Sequence, residues 1–432
     1  MRSVLRGACG VLLIAAAGAV FAAGDDAPVC RGSEGFASAF EGRTTFLWKP
    51  QHLRAARSSA QQAPARDALL RDADRALHRG PYTVVDKTRP PASEDLHDYT
   101  SLAPYWWPDP GREDGRPYVR RDGEFNPERD GDMFDLTSLE AMSHDVEALA
   151  LAYFVTDEAR YAEKAASLLR VWFLDPATRM NPNLNHAQSI PGRVAGRAEG
   201  VIDVHRLVRV VESVGLMAPS DALTAQETTA LKAWFGALAD WMQTSPIGRQ
   251  ERAKDNNHGV YYDVLLSQFA LFSGDAETAR RVTASARRHR LDAQIDRRGA
   301  LPEELARTRS LHYTTWTITA VMDLADLGRC VGVDLWNHPT PARSRLRSAV
   351  DFVVPFAGKE QTWPWPELNR SDTVGMYALL TRAAEAWNAP AYAALARSYA
   401  PRYAQRRLNL VLPPATGSNP QAAPAPSKAL DR

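Results

Sequence analysis

The feature that most constrains this chain is a helical spacing of apolar residues along most of its length. Apolar side chains recur at three- and four-residue intervals, the period of an α-helix, in segments 135–156, 157–173, 196–214, 224–243, 257–272, 276–295, 302–327, 342–356, 372–387 and 390–403. Start signals agree, because Thr224 and Glu227 form a capping-box pattern and Pro302 precedes two glutamates. Strand signals are scarce, so the pattern predicts an all-α fold.

An internal repeat indicates how these helices are arranged. The segment 149–160 (LALAYFVTDEAR) returns in outline at 266–280 (LSQFALFSGDAETAR), and a weaker copy ends at 387–390. Each copy reads as an apolar helix, a tight turn and a second helix. Such αα-hairpins bury their apolar faces only against neighbours, so they stack into a solenoid or close into a ring. We predict an (α/α) toroid, an incomplete barrel of αα-hairpins with a groove at its mouth; an irregular helical bundle is the alternative.

The two ends of the chain differ from its middle. Arg2 and Arg6 precede an apolar run at 11–17, which is typical of an export signal. A membrane anchor is the alternative, but this run is about half of the roughly 20 residues that a span needs. We therefore predict a signal peptide over 1–23, a toroid domain over 24–412 and a disordered Pro- and Ala-rich tail over 413–432. We expect a periplasmic or secreted monomer that is free of the membrane after signal cleavage.

The charge balance argues against a nucleic-acid-binding protein, and the cysteine content fits an exported one. The chain has 52 basic and 51 acidic side chains, a net charge of +1, whereas a nucleic-acid binder needs a basic excess on at least one face. Cys9 would leave with the signal, so Cys30 and Cys330 remain as an even pair in an oxidising compartment. The sequence is compatible with a disulfide between Cys30 and Cys330 and also with two separate thiols.

A polar cluster at 255–262 (DNNHGVYY) opens an otherwise apolar helix. Asn257, His258 and Tyr262 belong to it. Backbone N–H groups and the helix dipole favour an anion at such a position. Capping explains Asp255 or Asn256 but not the whole cluster, although a histidine in a first turn can also be a plain surface residue.

A second cluster spans 303–313 (EELARTRSLHY). Arginine beside tyrosine can bind a carboxylate and lower the cost of ionising the phenol. On a straight helix Arg309 and Tyr313 share a face, whereas Arg307 and Tyr313 lie about 120° apart. The segment follows Pro302 closely, however, and its first turn need not keep ideal helical phase. Solvated ion pairs among its charges are the plainer alternative.

Aromatic residues are concentrated in two Pro-rich loops. Flat aromatic faces there suit the apolar faces of sugar rings, and plugging the ends of the toroid is the alternative role. Two long irregular segments, about 89–131 and 175–193, carry polar residues as well, and long loops in compact domains are usually functional or disordered. The aromatic candidates for substrate contact are Tyr105, Trp106, Trp107, Trp363 and Trp365.

Taken together, the chain resembles the polysaccharide lyases of the alginate lyase superfamily, over roughly residues 85–390. The resemblance rests on the segments 105–110 (YWWPDP), 183–192 (NLNHAQSIPG), 256–258 (NNH) and 307–313 (RTRSLHY) in this order. It implies cleavage of an acidic uronate polysaccharide by β-elimination on an (α/α) toroid. It also adds Asn183, Gln188 and Arg197 to the candidate substrate-binding residues.

The resemblance implies a role for each of four residues. Asn257 and Arg307 would neutralise the uronate carboxylate, His258 or Tyr313 would remove the C5 proton, and Tyr313 would protonate the leaving oxygen. Donors aimed at the carboxyl oxygens stabilise the charge that accumulates there. Neither a metal nor another cofactor is implied, since no His/Cys/Asp ligand spacing is present.

Two departures from the family pattern leave the sugar open. His258 is followed by Gly-Val-Tyr where the best-known alginate lyases have Ser-Tyr-Trp, and the spacing from arginine to tyrosine is one residue shorter. Arg309 therefore stays as the alternative carboxylate ligand.

Two other functions also stay open. One is an inverting glycoside hydrolase on a similar toroid, which needs two carboxylates about 6.5 to 9.5 Å apart. The other is an exported polysaccharide-binding protein without catalysis.

Overall fold

The computed structural model describes residues 40–339, 344–368 and 373–414. The predicted signal peptide, Cys30 and all but the first two residues of the predicted tail lie outside these ranges. Cys330 is disulfide-bonded at the end of a long helix. A free thiol at this position is therefore excluded.

Helices form most of the described chain, as the apolar spacing predicts. In chain order they are α1 (Pro50–Ser58), α2 (Ala63–Ala76), α3 (Leu136–Thr156), α4 (Ala159–Leu169), α5 (Leu207–Leu216), α6 (Ala225–Thr244), α7 (Pro246–Arg252), α8 (Asn257–Ser273), α9 (Ala276–Ala286), α10 (Pro302–Leu305), α11 (Ser310–Cys330), α12 (Arg345–Val353), α13 (Val374–Ala386), α14 (Pro390–Tyr403) and α15 (Leu408–Val411). The capping box at the start of α6 is formed by both of its predicted partners, Thr224 and Glu227.

The repeated hairpins are present. Asp157 joins α3 to α4 and Gly274 joins α8 to α9, and both adopt left-handed backbone conformations, with φ of 58° and 97°. A third pair, α13 and α14, packs in the same way. In each of the first two pairs the leading helix is buried on nearly all sides and the second is amphipathic, as expected for an inner and an outer layer.

The inner helices follow one another around the molecule. α3 contacts α5, α5 contacts α8, α8 contacts α11, and α11 contacts α13. Outer helices cover this arc, with α4 on α3, α9 on α8 and α14 on α13. The predicted all-α toroid built from αα-hairpins is confirmed.

An ion-pair cluster fastens the last of these inner helices to the start of the described chain. Glu385 of α13 accepts from Lys49 at 2.9 Å and lies 3.3 Å from His52. Burial alone would raise the pKa of Glu385, but His52 and Lys49 lower it to about 2. The carboxylate therefore stays ionised down to strongly acidic pH.

Two predicted helices are interrupted. The segment predicted as one helix over 302–327 is split into α10 and α11, because residues 308–310 exchange backbone hydrogen bonds with residues 366–368 instead of continuing the helix. The segment predicted over 196–214 begins as a 3-10 helix, Ala198–Arg206, before α5. There Gly200 lies so close to Ala187 that a Cβ at position 200 would be 2.5 Å from the Ala187 side chain.

The two long irregular segments are joined by short strands. They contain β1 (Thr100–Leu102), β2 (Trp106–Trp107), β3 (Val119–Arg120) and β4 (His186–Ser189). β1 pairs in parallel with β4, and β2 pairs with β3 in antiparallel fashion. The pairing brings together loops that lie more than 80 residues apart in the sequence. Within the described ranges, no helix has the length and apolarity needed to span a bilayer.

Candidate active site

A cavity of about 540 Å³ lies where the starts of α8 and α11 meet the strand-bearing loops. All four predicted catalytic residues line it, so His258 and Tyr313 share one groove although 55 positions separate them in the sequence. Of the predicted substrate-binding residues, the lining includes Tyr105, Trp106, Gln188, Arg197 and Arg309.

His258 is held by a buried carboxylate that the sequence did not reveal. Its Nδ1 lies 2.7 Å from Oε1 of Glu251, which is fully buried in α7. Burial raises the pKa of the Glu251 carboxyl, and the neighbouring His258 partly offsets this rise. In its ionised form Glu251 accepts a hydrogen bond from the Nδ1–H of His258. This contact fixes the tautomer in which Nε2 carries a free lone pair.

The start of α8 is packed tightly against the preceding turn. A Cβ at Gly259 would lie 2.1 Å from the carbonyl oxygen of Lys254 and 2.5 Å from Nη1 of Arg290. Arg290 donates to Asp263 of α8 at 2.7 Å and to the Lys254 carbonyl at 2.9 Å. Glycine after His258, one of the departures from the family pattern, is therefore required by this packing.

Asn257 is oriented by a second buried carboxylate. The backbone N–H of Asn257 donates to Oε1 of Glu304 at 2.6 Å, and its side-chain Nδ2 donates to both Glu304 oxygens at 3.1 and 3.0 Å. Burial raises the pKa of Glu304, while its hydrogen bonds to Asn257 act in the opposite direction. Glu304 is thus a buried partner of Asn257, and the alternative of a solvated ion pair is wrong for this residue.

Arg307 reaches Tyr313 because the helix is interrupted between them. The guanidinium carbon of Arg307 lies 4.0 Å from the centre of the Tyr313 ring. Asp122, from the loop after β3, accepts from Nη2 at 3.2 Å and from Nε at 3.5 Å. Arg309 lines the same cavity and lies 5.8 Å from the Phe125 ring. The broken helical phase therefore brings Arg307, rather than Arg309, against the tyrosine.

Two tyrosine hydroxyls meet in the centre of the site. The hydroxyl oxygens of Tyr105 and Tyr313 are 2.5 Å apart. Burial raises the pKa of Tyr313, Tyr105 adds to the rise, and the positive charge of Arg307 opposes it. Tyr313 is therefore protonated at neutral pH in the free protein.

A buried hydrogen-bond network forms one wall of the cavity. Gln188 donates through Nε2 to Asp203 at 2.9 Å and accepts from Arg197 at 2.6 Å. Its backbone is left-handed, with φ of 49°, which is uncommon for a residue other than glycine. Burial lowers the pKa of Arg197. The network holds the Arg197 guanidinium in place at the cavity surface.

The cavity also contains residues that sequence reasoning missed. Lys254 pairs with Glu199 at 2.8 Å, and Arg206 pairs with Glu140 at 2.5 Å. His205 lies deeper, and burial lowers its pKa to about 3. Lys254 lies in the connection between α7 and α8, and the other four residues belong to ordinary helical patterns, so no local signal distinguishes them from surface or core residues.

Two residues predicted as substrate contacts use their polar groups inside the fold. Tyr262 is 1% exposed, and its hydroxyl donates to the Met242 carbonyl at 3.0 Å. Asn183 donates to Asp98 at 2.9 Å and so ties its own loop to the loop before β1. Neither residue lines the cavity.

Three predicted tryptophan contacts also lie outside the cavity lining. Trp107 alternates with Trp106 along β2, and its Nε1 donates to the Glu124 carbonyl at 3.0 Å. Trp363 and Trp365 pack against each other and against Phe352, with ring centres 4.7 to 6.1 Å apart. The Pro-rich loop at 363–366 therefore plugs the helical core, which is the alternative role considered for such loops.

Comparisons with known proteins agree with this architecture. The family model described as alginate lyase matches residues 83–363. An alginate lyase from Bacteroides ovatus is 37% identical, with a TM-score of 0.82, over 86% of this chain and 99% of that one. The apo form of a histidine-to-alanine variant of alginate lyase A1-III, an enzyme of Sphingomonas species A1, is 16% identical, with a TM-score of 0.52 over 83% of this chain and 90% of that one. This likeness shows the fold alone. A comparison with curated proteins found no match.

The helical toroid and these matches define a polysaccharide lyase. The groove with its histidine, arginine and tyrosine is the candidate place of the chemistry. Within that class, the chain belongs to the alginate lyase family.

Proposed function

We propose that this chain cleaves a β-1,4-linked uronate polymer, alginate or glucuronan, by β-elimination. The observation that carries the proposal is the convergence of His258, Arg307 and Tyr313 on one cavity. Alginate is the first candidate, because the family and the 37% identical relative are named for it. The N-terminal sequence supports action outside the cytoplasm.

The substrate carboxylate is the group that makes elimination possible. Removing the proton on C5 shifts charge onto the carboxyl oxygens, so a cation there stabilises the transition state. Arg307 is suited to this role because Asp122 engages its Nε and Nη2 and thereby orients the guanidinium. Both Nη1 hydrogens and the second Nη2 hydrogen remain outside this contact with Asp122.

Asn257 can also donate to the substrate carboxylate if its side-chain amide rotates by about 180°, which exchanges Oδ1 and Nδ2. Both Nδ2 contacts are made to Glu304, whereas Oδ1 is buried without a hydrogen-bond partner. If Glu304 is protonated, its hydroxyl donates to Oδ1 of a turned amide, and Nδ2 is then free to donate to the substrate. The raised pKa of Glu304 favours this protonated form.

His258 is the proposed base and Tyr313 the proposed acid. With the Nδ1–H of His258 donated as a hydrogen bond to ionised Glu251, the Nε2 lone pair takes the C5 proton, and the Glu251 carboxylate stabilises the imidazolium that forms. The bond between C4 and the glycosidic oxygen breaks as the C4–C5 double bond forms. Tyr313 gives its proton to the leaving oxygen, and Tyr105 donates to the resulting phenolate at the same time.

The test of this proposal is ultraviolet absorbance during incubation with alginates, glucuronan and neutral glycans. A lyase leaves a C4–C5 double bond conjugated with the carboxylate. We expect absorbance to grow on at least one uronate polymer and on no neutral glycan. New reducing ends without absorbance would instead show hydrolysis, and binding of an uncleaved polymer by folded protein would show a non-catalytic carbohydrate-binding protein.

A further inference from the structure

A second cavity, here called the outer cavity, lies beside the candidate active site. Its volume is about 400 Å³, and residues of the loops around positions 89–92, 116 and 189–195 line it. Three of the lining side chains are arginines, namely Arg89, Arg116 and Arg193, and none of the lining side chains is a carboxylate. None of the three arginines forms an ion pair with another described residue.

Two of these arginines are held in position by neighbours that leave hydrogen-bond donors unused. Arg193 donates through Nε to the Tyr118 carbonyl at 2.8 Å. The guanidinium carbon of Arg89 lies 5.7 Å from the centre of the Phe134 ring. A guanidinium that is stacked or tied at one edge loses less freedom when the rest of it binds a carboxylate. The outer cavity is therefore preorganised for an anion.

The outer cavity also offers apolar surface. Phe134, Ile190 and Val194 line it together with prolines, and the Val194 side chain is 44% exposed. A sugar ring presents apolar C–H faces beside its polar edges, so a wall of this kind suits a charged sugar better than a simple inorganic anion.

A contact between Trp106 and Arg193 joins the two cavities. Trp106 lines the candidate active site, and the guanidinium carbon of Arg193 lies 5.1 Å from the centre of the Trp106 ring. Along β4, Gln188 faces the first cavity and Ser189 the outer one, as expected from the alternation of side chains along a strand. A polymer that leaves the first cavity past Trp106 therefore meets the outer cavity next.

We propose that the outer cavity is a distal binding site for a further uronate residue of the same polymer, with Arg89 and Arg116 as carboxylate ligands. This inference rests on the proposed function, since a uronate polymer repeats its carboxylate in every sugar. Binding at a second point raises the effective concentration of the polymer at the first. Long chains then bind more tightly than short ones, while the chemical step is unchanged.

The test compares long and short substrates in a charge-removing variant. We expect Arg89→Gln/Arg116→Gln to raise KM for the polymer roughly tenfold. The same variant should keep the wild-type kcat, and it should keep the wild-type KM on the shortest oligosaccharide that the wild type cleaves. The matched control is Arg112→Gln, an exposed arginine of the same loop that lines neither cavity, and it should leave both substrates unaffected. Added salt should raise the polymer KM of the wild type more than that of the double variant.

Three outcomes would overturn the inference: an unchanged polymer KM, an equal rise on both substrates, or an equal effect of Arg112→Gln. Polymer binding is measured separately by calorimetry in a Tyr313→Phe background, with and without the two arginine substitutions. If the wild type cleaves no uronate polymer, the proposed function fails, and the calorimetry still decides the outer cavity. The inference about the outer cavity would then be overturned if Tyr313→Phe binds the polymer equally well with and without the two arginine substitutions. It would also be overturned if neither protein binds the polymer.

Discussion

Tyr313→Phe is the most informative single substitution, because it removes one hydroxyl from the centre of the site and almost nothing else. The ring is 7% exposed and keeps its packing. The hydrogen bond to Tyr105, at 2.5 Å, is lost, which costs about 1 kcal/mol of stability. The proposed acid is lost as well, and general acid–base groups contribute about 10²- to 10⁴-fold to the rate. We therefore expect turnover to fall by that factor, equivalent to about 3 to 5 kcal/mol of barrier.

The assay follows the absorbance of the unsaturated product at saturating polymer, with the melting temperature and polymer affinity measured on the same preparations. The matched control is Tyr262→Phe, because Tyr262 also donates one buried hydroxyl hydrogen bond, to Met242 at 3.0 Å, but lies outside the cavity. We expect a similar small loss of stability and near-normal turnover in this control. Turnover of Tyr313→Phe within a few-fold of wild type would refute the acid role. An equal loss of turnover in both variants would show that the hydroxyl acts through stability alone.

Three other predictions follow from the same geometry. Arg307→Lys should lower turnover at least about tenfold through loss of the planar donor fork, while Arg309→Lys should stay near wild type; a selective loss in Arg309→Lys would show that the wrong arginine has been assigned. Glu251→Gln should lower kcat by about 10- to 1000-fold with the KM for the polymer near wild type, because the imidazolium that forms on His258 loses its carboxylate partner; equal changes in kcat and KM, or a kcat near wild type, would contradict this positioning role. Glu385→Gln should cost about 1 to 2 kcal/mol at pH 7 by thermal unfolding, and because the folded pKa is lowered to about 2 from 4.5, the difference from wild type should vanish as the pH falls through this window; a constant difference would contradict the charge argument.

Helix-level features of the site could be read from the sequence because they depend on neighbours along the chain. The apolar period gives α3, α8 and their hairpin partners, and the polar cluster before α8 places Asn257 and His258 in its first turn. The carboxylates that orient these two residues had no such signal. Glu251 lies on a different helix, and Glu304 approaches from 47 positions away, so only the packed fold brings them into contact.

The roles of the tryptophans in the loops also depend on tertiary contacts that the sequence does not reveal. The sequence predicts the same role for Trp106 and Trp107, yet Trp106 lines the cavity, whereas Trp107, the next residue along β2, does not and donates to the Glu124 carbonyl. Trp363 is likewise predicted as a substrate contact, whereas its ring packs against Phe352. An aromatic residue in a loop can either pack against the hydrophobic core or contact a sugar ring. The choice depends on which surface the loop meets.

Helical period, caps and turns are local properties, so they predict from the sequence an all-α chain of repeated hairpins with the candidate catalytic residues near the start of two helices. Which arginine contacts the Tyr313 ring depends on tertiary structure. Residues 308–310 pair with residues 366–368, this pairing breaks the helix after Pro302, and the break sets the phase that turns Arg307 onto the tyrosine ring. The hydrogen-bond partners responsible lie more than 50 positions away, where no local pattern reports them.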